Sequence, residues 1–254
     1  MLSAKLGVIL AAGNGSRLAE CSGELPKPLV ALNGTPLLQH VMSTGRQAGI
    51  ERFVIVIGYR GQAIKDWYEN NPIPGVQVTW IENPEYHRDN GISLLRARKV
   101  VHEPFLLMMA DHVFETETAR KLLCVPLERN EVILAIDRNI GTVFDLDDAT
   151  KVRIEHNRIV QIGKSLSDYD ALDTGMFLCS ETLFTWVERA AVDGNCSLSD
   201  GLRLMAGQRL FRCFDVGDAR WQDVDTPAAL RNAERVFAPG HTRFSLALRV
   251  DDAA

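Results

Sequence analysis

The chain has 254 residues, of which 46% are hydrophobic and 24% are charged, and its formal net charge is −5. This composition is ordinary for a globular protein and excludes disordered, collagen-like and coiled-coil chains, while the length allows one large or two small domains. The negative balance argues against a general nucleic-acid or anionic-membrane surface, so we expect no nucleic-acid partner. The net charge does not exclude a phosphate-binding site, because such a site needs only a few cations close together.

No apolar run approaches the ~20 residues that a membrane helix needs, and we expect no direct membrane insertion. The N-terminus resembles a signal peptide in its lysine and apolar run. The run is short and leads into a glycine-rich turn, so we interpret it as a first strand. The five cysteines are scattered without a CxxC pair, which is typical of reduced thiols and predicts a cytoplasmic protein.

Strands and helices alternate through the first half of the chain. Apolar or β-branched runs predict strands at residues 6–10, 53–57, 76–81 and 105–110, and helical patterns lie between them at 36–48, 63–69 and 93–101. Thr35 is the expected N-cap of the first helix and Gly49 its stop signal. This alternation indicates βαβ units and a mostly parallel sheet that is covered on both faces.

The second half is less regular. It predicts strands at residues 132–136, 152–154, 159–162, 175–179 and 210–216, and helices at 183–191 and 226–237. His156 and Asn157 form the expected hairpin turn, because Asn tolerates positive φ. Thr226 is the expected N-cap of the last helix, with Pro227 at its first position. The simplest interpretation is one α/β domain with an inserted or appended β-rich part.

A glycine-rich loop follows the first predicted strand, where residues 10–18 read LAAGNGSRL. Gly13 and Gly15 let the backbone approach a ligand, and successive N–H groups in such a turn form an anion-binding nest, to which a following helix N-terminus would add. Arg17 offers a guanidinium fork suited to phosphate. Lys27 follows between two prolines, which restrict the backbone and could aim this lysine into the loop.

Two other phosphate-binding loops fit these residues less well. A Walker loop ends in Gly-Lys-Ser or Gly-Lys-Thr, which is absent. A dinucleotide fingerprint needs a small residue where Leu18 stands, and an acidic residue after the second strand, where the chain reads Gly58-Tyr59-Arg60.

The loop together with the later PKPL motif resembles the signature of nucleotidyltransferases that join an NTP to a phosphorylated small molecule. The resemblance continues through NPEY at residues 83–86, NGISLL at 90–95, MADH at 109–112, IGK at 162–164, LDTG at 172–175 and WQDVDT at 221–226. Over residues 5–236 the chain resembles the CTP:inositol-1-phosphate cytidylyltransferases, with phosphocholine cytidylyltransferases as near relatives.

This resemblance implies a Rossmann-like α/β fold of the nucleotide-diphospho-sugar transferase type. It has a mixed, mostly parallel sheet flanked by helices and a small β-rich subregion on the acceptor side. Residues 1–237 would form a single nucleotidyltransferase domain. Residues 1–115 would be its nucleotide-binding half and 116–237 its acceptor-binding half, and residues 238–254 would be a C-terminal extension.

The implied activity is Mg²⁺-dependent transfer from CTP to a phosphorylated small alcohol, above all inositol-1-phosphate, with release of pyrophosphate. Phosphocholine and 2-aminoethylphosphonate are alternative acceptors. A sugar-1-phosphate nucleotidyltransferase is a second alternative, although those enzymes usually carry Asp-Asn where this chain has Asp111-His112. The third alternative is a nucleotide-binding regulator. The presence of Arg17, Lys27, Asp111 and Asp225 together argues against it.

The resemblance also assigns roles to these four residues. Arg17 would hold the β- and γ-phosphates, and Lys27 would bridge the α-phosphate and the incoming phosphate. Asp111 and Asp225 would hold Mg²⁺, which prefers a few carboxylates plus phosphate oxygens. Asp225 could instead be only a neighbour of the last helix cap, which would leave Asp223 as the ligand.

Further contacts are implied for both substrates. Ordinary loop capping or a structural hydrogen bond is the alternative for several of these residues, His112 among them. The expected nucleotide contacts are Leu10, Ala11, Ala12, Gly13, Asn14, Gly15, Ser16, Gly58, Gln62, Asn83, Asn90, Gly91 and Ser93. The expected acceptor contacts are His112, Lys164 for the phosphate, and Asp173 for hydroxyls or a cationic headgroup.

Two partner expectations complete the picture. Inositol-phosphate cytidylyltransferases are often joined to a membrane domain that consumes their product. Because no such domain is recognisable in this sequence, we expect either a separate membrane CDP-alcohol phosphotransferase or a different acceptor. A strand-rich second half is compatible with a homodimer, but the sequence has no clear interface stripe.

Overall fold

A computed structural model describes residues 4–18, 23 and 25–238. The strands are β1 (Leu6–Ala11), β2 (Ala31–Leu32), β3 (Thr35–Pro36), β4 (Arg52–Ile57), β5 (Gln77–Glu82), β6 (Phe105–Met109), β7 (His112–Phe114), β8 (Val132–Asp137), β9 (Lys151–Glu155), β10 (Arg158–Gly163), β11 (Ala171–Cys179), β12 (Phe211–Asp215) and β13 (Trp221–Asp223). The α-helices are α1 (Leu37–Ala48), α2 (Gly61–Asn70), α3 (Asn90–Ala97), α4 (Thr116–Leu123), α5 (Thr182–Ala190), α6 (Leu198–Gly207) and α7 (Pro227–Val236). Among these residues, no helix is long and apolar enough to cross a membrane.

The main sheet has nine strands in the order β5-β4-β1-β6-β11-β8-β12-β10-β9. Strands β5, β4, β1 and β6 pair in parallel, as βαβ units require, whereas β11 runs antiparallel to β6 and opens the mixed part of the sheet. The predicted mixed sheet flanked by helices is confirmed. Its parallel pairings lie mainly in the first half, and β9, β10 and β12 supply the β-rich part.

Helices cover both faces of the sheet. Because successive residues of a strand point to opposite sides, the residues of one strand pack alternately against the two layers of helices. In β1, Val8 packs in a core with residues of α3, α5 and α6, and Ile9 packs in a second core with residues of α1, α2 and α4. Both side chains are fully buried. The continuous apolar pattern of β1 therefore reflects two covered faces.

Several local predictions are confirmed. His156 and Asn157, with φ of 48° and 61°, connect β9 and β10. Thr226 caps α7, because its side chain accepts a hydrogen bond from the Ala229 N–H at 3.1 Å. Gly49 ends α1 with φ of 106°. Cys124, Cys179, Cys196 and Cys213 are free thiols, and Cys21 lies outside the described residues.

The expected N-cap at Thr35 is wrong. Thr35 and Pro36 form β3, which pairs with β2, and helix α1 begins only at Leu37. The reason is the turn between these strands, where Asn33 and Gly34 have φ of 49° and 80°. An Asn-Gly pair with positive φ favours a tight hairpin, and this signal outweighs the capping signal.

Helices α4 and α6 and the short ribbon of β7 and β13 lie outside the predicted elements. The ribbon pairs His112 with Asp223 and Phe114 with Trp221. Three-residue strands are too short to show a hydrophobic period, so no sequence pattern indicates them. The ribbon nevertheless decides where residues 221–225 lie, beside the carboxyl end of β6.

The start of α6 provides a test of local stability. Ser197 accepts a hydrogen bond from the Asp200 N–H at 3.2 Å, and the Asp200 carboxylate accepts one from the Ser197 N–H at 2.7 Å. Ser197→Ala removes the first of these bonds and should lower the free energy of unfolding by about 1 kcal/mol. Urea denaturation measures this change. The exposed Ser167 is the matched control, and an equal loss in Ser167→Ala would contradict the capping role.

Candidate active site

The glycine loop lies at the carboxyl edge of the parallel strands, directly after β1. Gly15 has φ of 60°, and a Cβ added there would lie 2.5 Å from the Cβ of Lys27. Only glycine therefore lets Lys27 pack against the loop. Where a helix was expected after the loop, Ser16–Leu18 form a single 3₁₀ turn and residues 19–22 lie outside the described part of the chain.

Lys27 places a buried ammonium beside two carboxylates. It begins the 3₁₀ turn Lys27–Leu29, between two prolines as the sequence indicated, and the residue is only 8% exposed. Its Nζ lies 2.5 Å from Asp111 Oδ2 and also contacts Asp225 Oδ1. The structure thus brings together residues 27, 111 and 225, which are far apart in the sequence.

Backbone hydrogen bonds at the edge of the sheet bring Asp111 and Asp225 close together. Asp111 follows β6, and the Ala110 N–H donates to the Leu10 carbonyl at 3.1 Å, which keeps Asp111 close to the end of β1. The Val224 N–H donates to the Asp111 carbonyl at 3.0 Å. Because Asp223 and Asp225 are the chain neighbours of Val224, this hydrogen bond holds both of them close to Asp111.

Arg17 joins the same network at Asp225, and a residue that sequence reasoning missed, Asp148, links it to Lys164. Its guanidinium contacts Asp225 Oδ2 and lies 2.6 Å from Asp148 Oδ2, while Asp148 Oδ1 lies 2.5 Å from Lys164 Nζ. The hydrogen bond to Asp148 raises the pKa of Arg17. Burial would raise the pKa of Asp148, but the bonds from the two cations hold it below its usual value. Asp148 lies in the acidic run 145–148, which carries no motif that could have marked it.

Two cavities meet at Asp225, which lines both of them. The smaller, of about 290 Å³, is lined by Leu10, Ala11, Gly13, Asn14, Gly15, Ser16, Arg17, Lys27, Pro28, Ala110, Asp111 and Asp225. The larger, of about 630 Å³, includes the three predicted acceptor residues, His112, Lys164 and Asp173. The glycine-loop residues and the three predicted acceptor residues therefore line different cavities, which share Asp225.

Ala12 does not line either of these two cavities. It is buried, and its carbonyl accepts a hydrogen bond from the Tyr59 N–H at 3.0 Å. Gly58 lies in the same contact, because a Cβ there would lie 2.8 Å from the Ala12 carbonyl oxygen. These two residues hold the glycine loop against the end of β4.

The remaining predicted nucleotide contacts take part in bonds within the protein. Asn83 is buried, donates to Ser93 Oγ at 2.9 Å and accepts from the Glu85 N–H. Gln62 is exposed and bonds to Asp66, and Asn90 accepts from the Leu198 N–H at 2.8 Å. Gly91 packs against Cys196, whose carbonyl oxygen would lie 2.5 Å from an added Cβ. Of these residues only Asn90 lines one of the two cavities, so nucleotide contacts for the others stay predictions.

The electrostatics of Asp111 and His112 are linked. His112 Nδ1 lies 2.7 Å from Asp111 Oδ1 and 3.7 Å from Asp223 Oδ1. Burial lowers the pKa of His112, but the two carboxylates outweigh it and raise the pKa to about 9. Burial would raise the pKa of Asp111, yet Lys27 and His112 hold it well below its usual range.

Asp173 has a different environment on the wall of the larger cavity. Its carboxylate accepts a hydrogen bond from the Gly175 N–H at 2.7 Å. Burial raises the pKa of Asp173 to about 6, because this single backbone donor only partly compensates for the loss of water. A ligand that donates hydrogen bonds or carries a positive charge would complete its surroundings.

The donor set fits a hard divalent cation. Asp111 and Asp225 share the ammonium of Lys27 and line the smaller cavity. The ligand atoms of Asp111, His112 and Asp223 also lie within 4.8 Å of one another, and Asp223 Oδ1 is buried without a hydrogen-bond partner. Carboxylate oxygens are the ligands that hard divalent cations prefer. Both carboxylates considered as the second ligand therefore lie close to Asp111.

Comparison with known proteins decides the family. Residues 7–146 match the model of the MobA-like NTP transferase domain. The chain belongs to this family. The match over residues 7–146 includes the glycine loop, Lys27 and Asp111. The matched region therefore supplies most of the residues that line the smaller cavity.

Individual relatives agree with the resemblance seen in the motifs, which is confirmed. The bifunctional IPC transferase and DIPP synthase of Rubrobacter xylanophilus is 37% identical over 90% of this chain and 51% of that protein. The CMP-5'-(3-aminopropyl)phosphonate synthase of Streptomyces rubellomurinus is 30% identical over 91% of this chain and 38% of that protein. Among solved structures, the inositol-1-phosphate CTP transferase from T. maritima superposes with a TM-score of 0.83 at 25% identity, covering 94% of this chain and 98% of that one.

The chain spans about half the length of the bifunctional relatives it matches, 51% for Rubrobacter xylanophilus and 50% for Aquifex aeolicus. The T. maritima structure is matched over almost its whole length. The MobA-like fold of this chain therefore corresponds to one unit of the longer proteins.

The contact between Gly15 and Lys27 predicts a difference between two glycines of the loop. Gly15→Ala forces an alanine into positive φ, which costs about 1–2 kcal/mol, and also drives its Cβ into Lys27. Gly13→Ala meets no atom within 4 Å and should change the free energy of unfolding by less than about 0.5 kcal/mol. Urea denaturation of both variants measures this contrast, and similar losses in the two would contradict the packing of Lys27 on Gly15.

Proposed function

We propose that this MobA-like transferase is a Mg²⁺-dependent cytidylyltransferase. It joins CTP to the phosphate of a small alcohol, most directly inositol-1-phosphate, and releases pyrophosphate. The observation that carries the proposal is the position of Lys27, whose ammonium contacts Asp111 and Asp225 where the two cavities meet. The names of the Rubrobacter xylanophilus and T. maritima relatives support this choice of substrate.

The reaction needs little covalent chemistry from the protein. An oxygen of the acceptor phosphate attacks the α-phosphorus of CTP in line, a new P–O bond forms, and the bond to the β-phosphate oxygen breaks to release pyrophosphate. The protein must hold two anions together and compensate their charge. Lys27 lines the smaller cavity and contacts Asp225, which lines both cavities. Its ammonium would stabilise the charge on the α-phosphate, while Arg17 would hold the β- and γ-phosphates.

Asp111 and Asp225 would hold the Mg²⁺ ion, with Asp223 as the alternative second ligand. When bound, Mg²⁺ supplies charge compensation for the triphosphate and fixes its orientation. The ammonium of Lys27 would then turn from the two carboxylates to the phosphates, because its present partners would be shared with the metal. The buried Asp223 Oδ1 without a partner is compatible with either assignment.

We assign CTP to the smaller cavity and the acceptor to the larger one. The backbone of the glycine loop would contact the phosphates. The strand ends near Gly58 and Asn83, together with Asn90 at the start of α3, would border the base and ribose. This assignment keeps the division into a nucleotide half, residues 1–115, and an acceptor half, residues 116–237, as a proposal. The larger cavity also draws on Asn90, Met109 and His112 of the first half.

The wall of the larger cavity favours an acceptor with hydroxyl groups. Lys164 would bind the acceptor phosphate once Asp148 releases it, and Asp173 would accept hydrogen bonds from hydroxyls. A choline headgroup would need a cage of aromatic faces. Of the aromatic residues that line this cavity, Phe177 is buried in the core, which leaves Phe144 and Trp221.

Consumption of the CDP-alcohol by a separate membrane phosphotransferase stays a prediction. The homodimer and the cytoplasmic location stay predictions as well.

The decisive experiment measures pyrophosphate release with Mg²⁺ and CTP across a panel of acceptors. The panel contains inositol-1-phosphate, phosphocholine, 2-aminoethylphosphonate, glycerol-3-phosphate and glucose-1-phosphate, with UTP, ATP and GTP as nucleotide controls. We expect turnover with CTP and inositol-1-phosphate. Turnover with UTP and glucose-1-phosphate alone would overturn the proposal, and CTP binding without turnover on any acceptor would favour a regulator.

The role of Lys27 predicts a large kinetic effect. Lys27→Met keeps the aliphatic stem that packs on Gly15 and removes the ammonium, so kcat should fall on the order of 100-fold or more while the fold is retained. Steady-state kinetics with the preferred acceptor measure the change, and circular dichroism checks the fold. The matched control is Lys99→Met, at an exposed lysine that precedes β6 at the opposite end of the strand. Turnover of Lys27→Met close to wild type would exclude the proposed role.

A further inference from the structure

The imidazole of His112 has two aromatic rings and a backbone segment as neighbours. The ring of Trp221 lies at 12° to it and that of Phe114 at 23°, each with its centroid 6.5 Å away. On the backbone side, Gly175 has φ of 82°, and a Cβ added there would lie 2.5 Å from His112 Cδ2. A side chain at position 175 would therefore collide with the imidazole and displace it.

A hydrogen bond to a buried carboxylate fixes the position of the Trp221 ring. Its Nε1–H donates to Asp137 Oδ2 at 2.8 Å. Asp137 is 4% exposed, and its other carboxylate oxygen accepts a hydrogen bond from the Asn139 N–H at 2.7 Å. Both oxygens of a buried carboxylate are thus used inside the protein. Asp137 lines the larger cavity, so this carboxylate holds a ring of the cavity wall in place.

The imidazole of His112 contacts Asp111. Because a carboxylate oxygen accepts, His112 Nδ1 donates the 2.7 Å hydrogen bond to Asp111 Oδ1. The other oxygen, Oδ2, lies 2.5 Å from Lys27 Nζ, and Asp111 lines the smaller cavity. The bond from His112 therefore fixes the rotation of the carboxylate. Since Mg²⁺ prefers oxygen ligands, the imidazole is better suited to hold a ligand than to be one.

We propose that His112 is a positioning residue, which sets the orientation of the Asp111 carboxylate toward the metal, and that Trp221, Asp137 and Gly175 hold its imidazole for this purpose. The proposal rests on the proposed function in taking Asp111 as a metal ligand. It gives His112 a role on the metal side of the site, whereas the sequence suggested an acceptor contact. Only the Nε2 edge of the ring remains for an acceptor.

Binding of Mn²⁺ to the full chain in the presence of CTP tests this directly, because without an acceptor no turnover occurs. Electron paramagnetic resonance of free Mn²⁺, corrected for the Mn²⁺ that CTP binds without protein, gives the Kd. His112→Ala should weaken Mn²⁺ binding by about tenfold or more, since loss of a group that orients a ligand has this effect. His112→Asn should recover most of the affinity, because the asparagine amide nitrogen lies where Nδ1 was and donates the same bond. The control is His102→Ala, at an exposed histidine preceding β6.

A second measurement tests the contact with Gly175. Gly175→Ala should also weaken Mn²⁺ binding, because its methyl group displaces the imidazole. In the His112→Ala background the same change should have no further effect on the Kd, since no ring is left to displace. Full additivity of the two changes would show that Gly175 acts on the metal by another route.

The outcomes separate this inference from the proposed function. Mn²⁺ binding by His112→Ala equal to wild type overturns the positioning role, and a raised KM for the acceptor with unchanged Mn²⁺ affinity assigns His112 to the acceptor instead. Failure of the wild-type chain to bind Mn²⁺ with CTP overturns the proposed function itself. If His112→Ala does not fold, histidine ¹⁵N correlation spectra of wild type decide: a strongly downfield Nδ1 proton at His112, absent in His112→Asn, supports the bond, and a fully exchanging proton overturns it.

Discussion

The contact of one buried ammonium with two carboxylates is the constraint on which the site depends. Lys27 is 8% exposed, so its charge has lost most of its water and needs close partners. Asp111 and Asp225 supply them. Each of these acids would in turn repel the other without the lysine. The three groups therefore stabilise one another only when the ends of β1, β6 and β13 lie together, which ties the electrostatics of the site to the whole sheet.

That arrangement explains features of the fold that carry no chemistry of their own. Gly15 has no side chain, so the stem of Lys27 lies against the loop. The hydrogen bond from the Val224 N–H to the Asp111 carbonyl places residues 223–225 at the sheet edge. A sheet of parallel strands alone would open ligand sites at its carboxyl edge. Here the reversal at β11 adds the mixed half, whose loops bring Asp148 and Lys164 to the same edge.

Sequence patterns predicted the parts of the molecule that depend on local periodicity or on a short motif. The parallel strands, the hairpin at His156 and the cap at Thr226 follow from neighbouring residues, and the glycine loop with Lys27 follows from a motif. The ribbon of β7 and β13 and the bridge through Asp148 depend on contacts between residues far apart in the chain. Neither has a periodic pattern, so only the folded chain shows them. Asp137 directly follows a predicted strand, as Asp111 does, and this shared position was the one signal which could have marked it.

The two cavities share the carboxylate of Asp225, and three cations near it are joined to carboxylates in one network. Each of these cations has acidic partners: Lys27 has Asp111 and Asp225, Arg17 has Asp225 and Asp148, and Lys164 has Asp148. The network therefore extends from the glycine loop at the smaller cavity to Lys164 at the larger one. Any anion that binds one of these cations has to compete with a carboxylate that is already paired with it. The carboxylates thus lower the affinity of the site for single anions and favour ligands that engage several of the cations together.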